Sequence, residues 1–279
     1  LRNILIAYPV LGAGKAERVA ALAHSCAVTV ALDSRESADA LSAAAHAAGV
    51  TLDILVEVDT GFHRCGVPAG GAGAAELVKL ARAVACLHGL RFAGIMFYPG
   101  HLQLEPEKQP EALAQQNELV EESAAALEGQ GLACETVSGG STPTWFNSHL
   151  LPRLTEIRPG TYIFNDRNTV HLKAAQPEDC ALSVLVTVVS TAVDKQLIVD
   201  GGSKTFSSDR HLGGAEKGYG EILGRPDLLL AGLSEEHGHV AAPQGLGGIR
   251  AADHLRVLMN HACACMHLHE NVYAHRGDE

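Results

Sequence analysis

Along the first 165 residues, short apolar runs alternate with longer stretches in which apolar residues return every three or four positions. The runs cover residues 3–8, 27–33, 53–59, 92–98, 134–137 and 156–163. A continuous apolar run of this length predicts a strand buried on both faces. Between the runs, residues 14–24, 37–48, 73–87 and 110–130 are rich in Ala, Leu and Glu at helical spacing. Strands that alternate with helices predict a parallel sheet. Six βα units are most simply six-eighths of a (β/α)8 barrel, with an open doubly wound sheet as the alternative. Polar residues and glycines gather just after the strands, at 59–66, 98–101 and 138–142. In a barrel those strand ends face the active site.

After about Arg167 the pattern changes. Residues 180–190, 196–200, 227–230, 254–259 and 263–273 read as strands joined by glycine-rich loops, with turn signals at Gly201-Gly202 and at 245–248. The expectation is an α/β chain of two domains. Residues 1–170 form an incomplete barrel and residues 171–279 a mostly antiparallel β domain.

Composition narrows the class. At 279 residues the chain can bury a sizeable core, and its abundant Ala and Gly with only 4% aromatics favour closely packed helices over a β-sandwich. A formal charge of −11 argues against nucleic acid and acidic membranes as partners. Seven scattered cysteines do not look like a disulfide framework, so reduced thiols and a cytoplasmic setting are expected. No segment is long and apolar enough to span a bilayer as a helix.

Candidate chemistry sits at five places. His261 and Cys263 stand two apart on a segment read as β, which turns both to one face as soft ligands suited to zinc. Cys265, His267 and His269 continue the alternation. The competing reading is a buried cysteine packing as a small hydrophobe. Ser138-Gly139-Gly140-Ser141-Thr142-Pro143-Thr144 follows a strand and offers open amides and hydroxyls, fit for a phosphate or for an ordinary turn. It lacks the Gly-Lys-Ser/Thr ending of a Walker loop. Arg158-Pro159-Gly160-Thr161-Tyr162 adds a second set of amides and a cation at the next strand end, where barrels commonly bind phosphate. Residues 57–67 bring two carboxylates and Arg64 to a third strand end, either as an Asp–Arg pair holding the loop or as functional groups. Tyr98 and His101 place a phenol and an imidazole on the same rim, as acid–base groups or ring partners. Asp200, residues 204–209 and residues 234–238 are further polar clusters that read equally well as solvated loops.

Taken in order, residues 57–67, 98–101, 138–144, 156–166, 200–209, 234–238 and 260–263 resemble the D-threonine aldolase and D-serine dehydratase family. Those enzymes use pyridoxal phosphate on an alanine-racemase-like barrel. The resemblance implies a phosphate cup from Ser141, Thr142, Gly160 and Thr161, with Tyr162 beside it. It implies Arg64 and Tyr98 near the cofactor ring or substrate, with His101 on the same rim. It also implies His261 and Cys263 as ligands of a divalent metal, zinc rather than manganese. The His-x-Cys form is similar to the zinc-dependent dehydratase type, and the aldolase type often has an oxygen ligand where Cys263 stands. Cys265 and His267 stand where relatives tend to have non-coordinating residues.

The implied activity is a lyase acting on a small D-3-hydroxy amino acid, cleaving it by retro-aldol reaction to glycine and an aldehyde. Dehydration of D-serine to pyruvate and ammonia is the alternative. An amino-acid racemase and a non-catalytic cofactor carrier are rival readings on the same barrel. A homodimer is implied as well. The family's cofactor lysine lies on the first barrel strand, in a Pro-His-Val-Lys-like stretch. The lysines from Lys15 to Lys217 do not match that stretch, so an N-terminally truncated chain is expected, inactive as given.

Overall fold

In the computed structural model, which describes residues 1–71 and 73–276, the apolar runs of the first unit, Leu1–Pro159, form one parallel sheet. Its strands are β1 (Asn3–Ile6), β2 (Ala27–Leu32), β3 (Leu52–Asp59), β4 (Val67–Pro68), β5 (Leu90–Met96), β6 (Thr136–Gly139) and β7 (Glu156–Ile157). The order is β1-β2-β3-β5-β6-β7, with the two-residue β4 paired to the end of β3. Every pair in this sheet is parallel. The path runs in chain order without reversal. A doubly wound sheet reverses at a switch point, so the sheet is a partial barrel.

Side-chain alternation builds the two faces. Val30, Leu32, Ile54, Val56 and Ile95 point into the large core shared with the helices. Their neighbours Ala31, Leu55, Ala93 and Met96 form a smaller cluster of their own. Four helices, α1 (Ala13–Leu22), α2 (Arg35–Ala48), α3 (Ala74–Cys86) and α4 (Pro110–Glu128), bury Ala20, Leu41, Leu77 and Val120 in that large core. Helix α2 starts after Ser34 and stops at Gly49 in the left-handed conformation, the usual glycine terminus. In β5, Gly94 has φ +144°, and a Cβ there would lie 1.9 Å from the Thr136 carbonyl oxygen. Only glycine lets β5 and β6 approach at that point.

The second unit is Gly160–Glu279. Its strands β8 (Val184–Ser190), β9 (Gln196–Val199), β10 (Gly220–Ile222), β11 (Leu229–Leu233), β12 (Gly238–Ala241) and β13 (His254–Met259) close into an antiparallel barrel in the order β10-β11-β12-β9-β8-β13. Closure removes the exposed sheet edges. The barrel is filled by Val186, Val188, Leu197, Val199, Leu230, Val240 and Val257. Short helices α5 (Arg167–His171), α6 (Ser203–Phe206) and α7 (Ala262–His267) decorate it. Contacts divide the chain at Pro159, upstream of the composition change near residue 170. The reason is local: Asn165 donates to the Asp179 carbonyl, Arg167 to the Asn260 side chain, and the Asn168 amide to the Asn260 carbonyl.

One expected strand is absent. Residues 263–273 are not extended: 262–267 form α7, and 269–276 lack regular structure. The buried positions are Ala262 and Cys265, three apart, so the apolar period is helical even though Cys and His alternate by two. Ala and Met favour helix here, and the Asp166 carboxylate accepts the Ala262 amide at the helix start. No helix among the described residues is long and apolar enough to cross a membrane.

Candidate functional site

The C-terminal end of β3 carries the first cluster. Asp59 accepts the amides of Gly61 and His63, both at 2.9 Å, and meets the His63 ring at 2.7 Å. Burial alone would raise this carboxyl, but the two amides and the imidazole bring it below its ordinary value. The Asp–Arg alternative therefore does not describe the loop, because Asp59 is bound by its own turn. Arg64 instead lays its guanidinium over the Tyr98 ring, 4.5 Å from the centroid, and over Phe62 at 5.2 Å. Phe62 meets Tyr98 edge-on at 5.5 Å and stacks on His101 at 6.4 Å. Gly100 makes room for this, since a Cβ there would lie 2.4 Å from the Tyr98 ring. Arg64, Tyr98 and His101 are thus brought together around one phenylalanine.

Beneath them lie two charged groups that the sequence offers without a role. Glu57 is buried, and burial pushes its carboxyl up, opposed by the charges of Arg64 and Arg158. Arg158, from the end of β7, donates to the Phe97 carbonyl at 2.7 Å and to the Ser138 hydroxyl. Successive strand ends therefore share one charge network in which each ion has an opposite neighbour, as burial requires.

The loop after β6 is tightly built. The Ser141 amide donates to Thr144 Oγ1 at 3.1 Å, and the Ser141 hydroxyl lies 3.2 Å from the same atom. Gly140 takes φ +79° to start the turn. Thr142 is 3% exposed, and its Oγ1 is buried with no hydrogen-bond partner.

In the second unit, Gly160 and Thr161 open a 3-10 turn over Thr161–Ile163, so their amides have no acceptor within that turn. Tyr162 has an exposed ring, and its carbonyl accepts from Asn165 Nδ2 at 3.3 Å. Thr161 Oγ1 lies 3.3 Å from Cys263 Sγ. Asp166 starts α5 with a capping box: Oδ1 accepts the Thr169 amide at 2.8 Å while Oδ2 accepts the Ala262 amide at 2.8 Å. This buried carboxylate fixes the turn that presents His261 and Cys263. The two side chains hydrogen-bond to each other, and His261 Nδ1 pairs with Asp209. The bond to Cys263, against the opposing effect of burial and with help from Asp209, pushes the imidazole up to about 9. The bond from His261 lowers the Cys263 thiol, against burial and aided by Thr161. At neutral pH the imidazole is therefore protonated, and the thiol beside it gives up its proton more readily than an ordinary cysteine.

The neighbouring candidates separate from this pair. Cys265 is 1% exposed, donates to the Thr205 carbonyl at 3.2 Å, and is pushed up to about 11 by burial. His269 meets the same carbonyl at 3.0 Å. Cys265 lies on a different face of α7 from Cys263, as two positions in a helix require, and His269 stands beyond the helix end.

Comparison with known proteins places this arrangement. Residues 1–168 match the model of the alanine racemase N-terminal domain, and residues 181–275 match that of a putative serine dehydratase domain. The chain belongs to the alanine racemase N-terminal-domain family. It is 34% identical over 259 residues to the D-threo-3-hydroxyaspartate dehydratase of Delftia sp. strain HT23, covering 86% of this chain and 67% of that protein. The crystal structure of D-threonine aldolase from Filomicrobium marinum superposes with a TM-score of 0.85 at 30% identity, covering 96% of this chain and 71% of that one. Two solved variants of a D-threo-3-hydroxyaspartate dehydratase are also similar. One is a His-to-Ala form (TM-score 0.83, 30% identity, 95% of this chain and 72% of that one). The other is a Cys-to-Ala form in the metal-free state (0.80, 31%, 95% and 74%). Their substitutions lie two positions apart, the spacing of His261 and Cys263.

The family's enzymes use pyridoxal phosphate, and the residues here fit its phosphate. The orphaned Thr142 hydroxyl is a buried donor awaiting an acceptor. They also fit a divalent metal. A thiolate and an imidazole are soft donors, and with Nδ1 held by the carboxylate, Nε2 on the Cys263 side is the nitrogen left to coordinate. Among the described residues no group of three or more His, Cys, Asp or Glu side chains converges. An ion held by two protein donors would keep coordination positions open for other ligands.

Sequence reasoning passed over Asp209 and Asp166 as site residues. Asp209 was visible only as the last member of the polar cluster 204–209. Nothing in a single sequence pairs it with a histidine 52 positions on.

Proposed function

We propose that this protein is a pyridoxal-phosphate- and divalent-metal-dependent lyase of D-3-hydroxy amino acids. One observation carries the reading: a thiol and an imidazole joined to each other, with a carboxylate behind the imidazole and, among the described residues, no third His, Cys, Asp or Glu converging as a ligand. Ser141, Thr142, Gly160 and Thr161 hold the phosphate, with Tyr162 beside them, and His261 and Cys263 hold the metal. The donor set favours zinc over manganese, which prefers oxygen ligands.

The bound cofactor supplies an electron sink for charge developing at the substrate's Cα, and the metal supplies a Lewis acid for its β-hydroxyl. The chain's own residues do the rest. Arg64, held flat on Tyr98 and Phe62, orients an anionic group without losing its charge. Tyr98 and His101 carry protons at the reacting end of the substrate. His261 and Cys263 would hold the ion that polarises the β-hydroxyl.

Breaking Cα–Cβ yields glycine and an aldehyde, the branch of the similar D-threonine aldolase. A second reading is dehydration, in which the β-hydroxyl leaves as water and the product hydrolyses to a 2-oxo acid and ammonia. The thiol at position 263 favours that branch, because the similar dehydratase carries a cysteine at the same spacing from its histidine.

The deciding experiment supplies full-length protein with D-threonine, D-3-hydroxyaspartate and D-serine. Glycine plus aldehyde supports cleavage, and 2-oxo acid plus ammonia supports dehydration. Turnover that survives complete metal removal sinks both and leaves a racemase. The same reading includes a cytoplasmic homodimer without nucleic-acid or membrane partners. Light scattering at assay concentration tests the dimer, and a monomer mass counts against it.

A further inference from the structure

Asp209 sits in a loop of its own making. It stands two residues after Ser207, whose φ of +68° turns the chain, and its amide donates to the Ser207 hydroxyl at 3.2 Å. Its carbonyl accepts the Asn260 side-chain amide at 3.0 Å. Asn260 is 2% exposed and is the residue immediately before His261. The same amide group also donates to the Gly218 carbonyl at 2.9 Å, and its oxygen accepts from Arg167. The Asn260 carbonyl accepts the Asn168 amide. Every polar atom of this buried side chain is therefore used to tie the 209 loop to the turn that carries the histidine. Such a fully connected hub fixes geometry where a partly satisfied one would not.

The Asp209 side chain completes the tie. Its Oδ2 meets His261 Nδ1, with the imidazole and the carboxylate each about two-fifths exposed. Exposed carboxylates gain little from a lone ion pair, so stability alone gives weak reason for the contact. Direction gives a stronger one. A carboxylate on Nδ1 sets the tautomer and the plane of the ring and leaves Nε2 as the donor atom.

We propose that Asp209 is a positioning residue of the metal centre: its carboxylate holds the Nδ1–H of His261, so that Nε2 is aimed at the ion that Cys263 shares. The inference rests on the metal reading above. Asp209 does not itself bind the ion, and its effect passes entirely through the imidazole. Loss of such an outer partner weakens metal binding by about 10- to 100-fold.

The test is a titration of chelator-stripped full-length protein with cobalt(II) and with zinc against a competing chelator. It compares the parent with Asp209→Ala, Asp209→Asn and His261→Ala. The cobalt–thiolate absorption band reports the Cys263 bond directly. Asp209→Ala binds about 10- to 100-fold more weakly, yet shows the parent band at saturation. Asp209→Asn, which keeps an acceptor oxygen and nearly the same shape, recovers part of that loss. Affinity of Asp209→Ala within about twofold of the parent overturns the proposal. So does a saturated Asp209→Asn spectrum that differs from the parent, which makes Asp209 a ligand. A parent protein with no cobalt–thiolate band fails at the metal reading itself, and is thereby told apart from failure of this inference.

Discussion

Thr161 Oγ1 lies 3.3 Å from Cys263 Sγ, so a residue assigned to the phosphate also touches the thiol assigned to the metal. The hydroxyl helps to lower the thiol, behind the larger effect of His261. In metal-free protein, Thr161→Val therefore raises the pH midpoint of Cys263 alkylation, and Thr161→Ser leaves it in place. His261→Gln raises it further than Thr161→Val. An unchanged midpoint in Thr161→Val would show that the contact carries no electrostatic weight.

Metal binding is coupled to protons with a sign that follows from His261. Its imidazole, pushed up to about 9, is protonated at neutral pH, while the Cys263 thiol is lowered. The ion must displace the imidazolium proton, so binding releases at least about one proton per ion near neutrality. The imidazole alone makes apparent affinity rise about tenfold per pH unit towards 9. Zinc titrations in buffers between pH 6.5 and 9.5 check this, and a flat profile contradicts it.

Thr142 separates ligand binding from stability. Its hydroxyl is buried without a partner, a desolvation cost of about 1–3 kcal/mol with nothing to offset it in the ligand-free protein. Thr142→Val removes that cost at nearly constant shape. The variant is expected to melt at or above the parent's temperature without cofactor, and to bind pyridoxal phosphate at least several-fold more weakly. A variant that melts lower but binds normally would mean the hydroxyl has a structural partner.

The partial barrel was legible because it rests on patterns local in sequence. Buried parallel strands such as 27–33 and 53–59 announce themselves as unbroken apolar runs, and all four long helices fall within a few residues of their periodic stretches. The second unit was legible as antiparallel β, but β10 and β12 were missed. They are three and four residues long, and β12 begins in the polar cluster 234–238. The metal segment was misread in geometry. Alternating Cys and His imitate a strand, while the packing period set by Ala262 and Cys265 is helical. His261 and Cys263 still converge because His261 stands outside the helix in extended backbone, φ −138° and ψ 105°. What surrounds them, Asp166 and Asp209, was out of reach, because hydrogen bonds spanning 96 and 52 positions leave no local pattern.

His211 gives the second unit an acid-sensitive element apart from the metal pair. Burial, then the charges of Arg167, His171 and Lys217, push its imidazole down to about 4 from an ordinary 6.5. The unfolded chain binds the proton first, so stability is full above about 6.5 and is lost as pH falls from there towards 4. The melting temperature of metal-free protein should drop across that window, and less so in His211→Gln. An equal drop in the variant would place the acid sensitivity elsewhere.

The account stands on the ion that His261 and Cys263 are assigned to hold. Its most direct test is turnover of a D-3-hydroxy amino acid by full-length, cofactor-loaded protein, before and after exhaustive chelation and again after zinc is returned. Activity is expected to vanish on chelation and return with zinc in the parent. In His261→Ala it should stay at least about 100-fold lower at the same zinc concentration, since even an outer-shell loss costs about 10- to 100-fold. Undiminished turnover by the chelated protein would contradict the central claim.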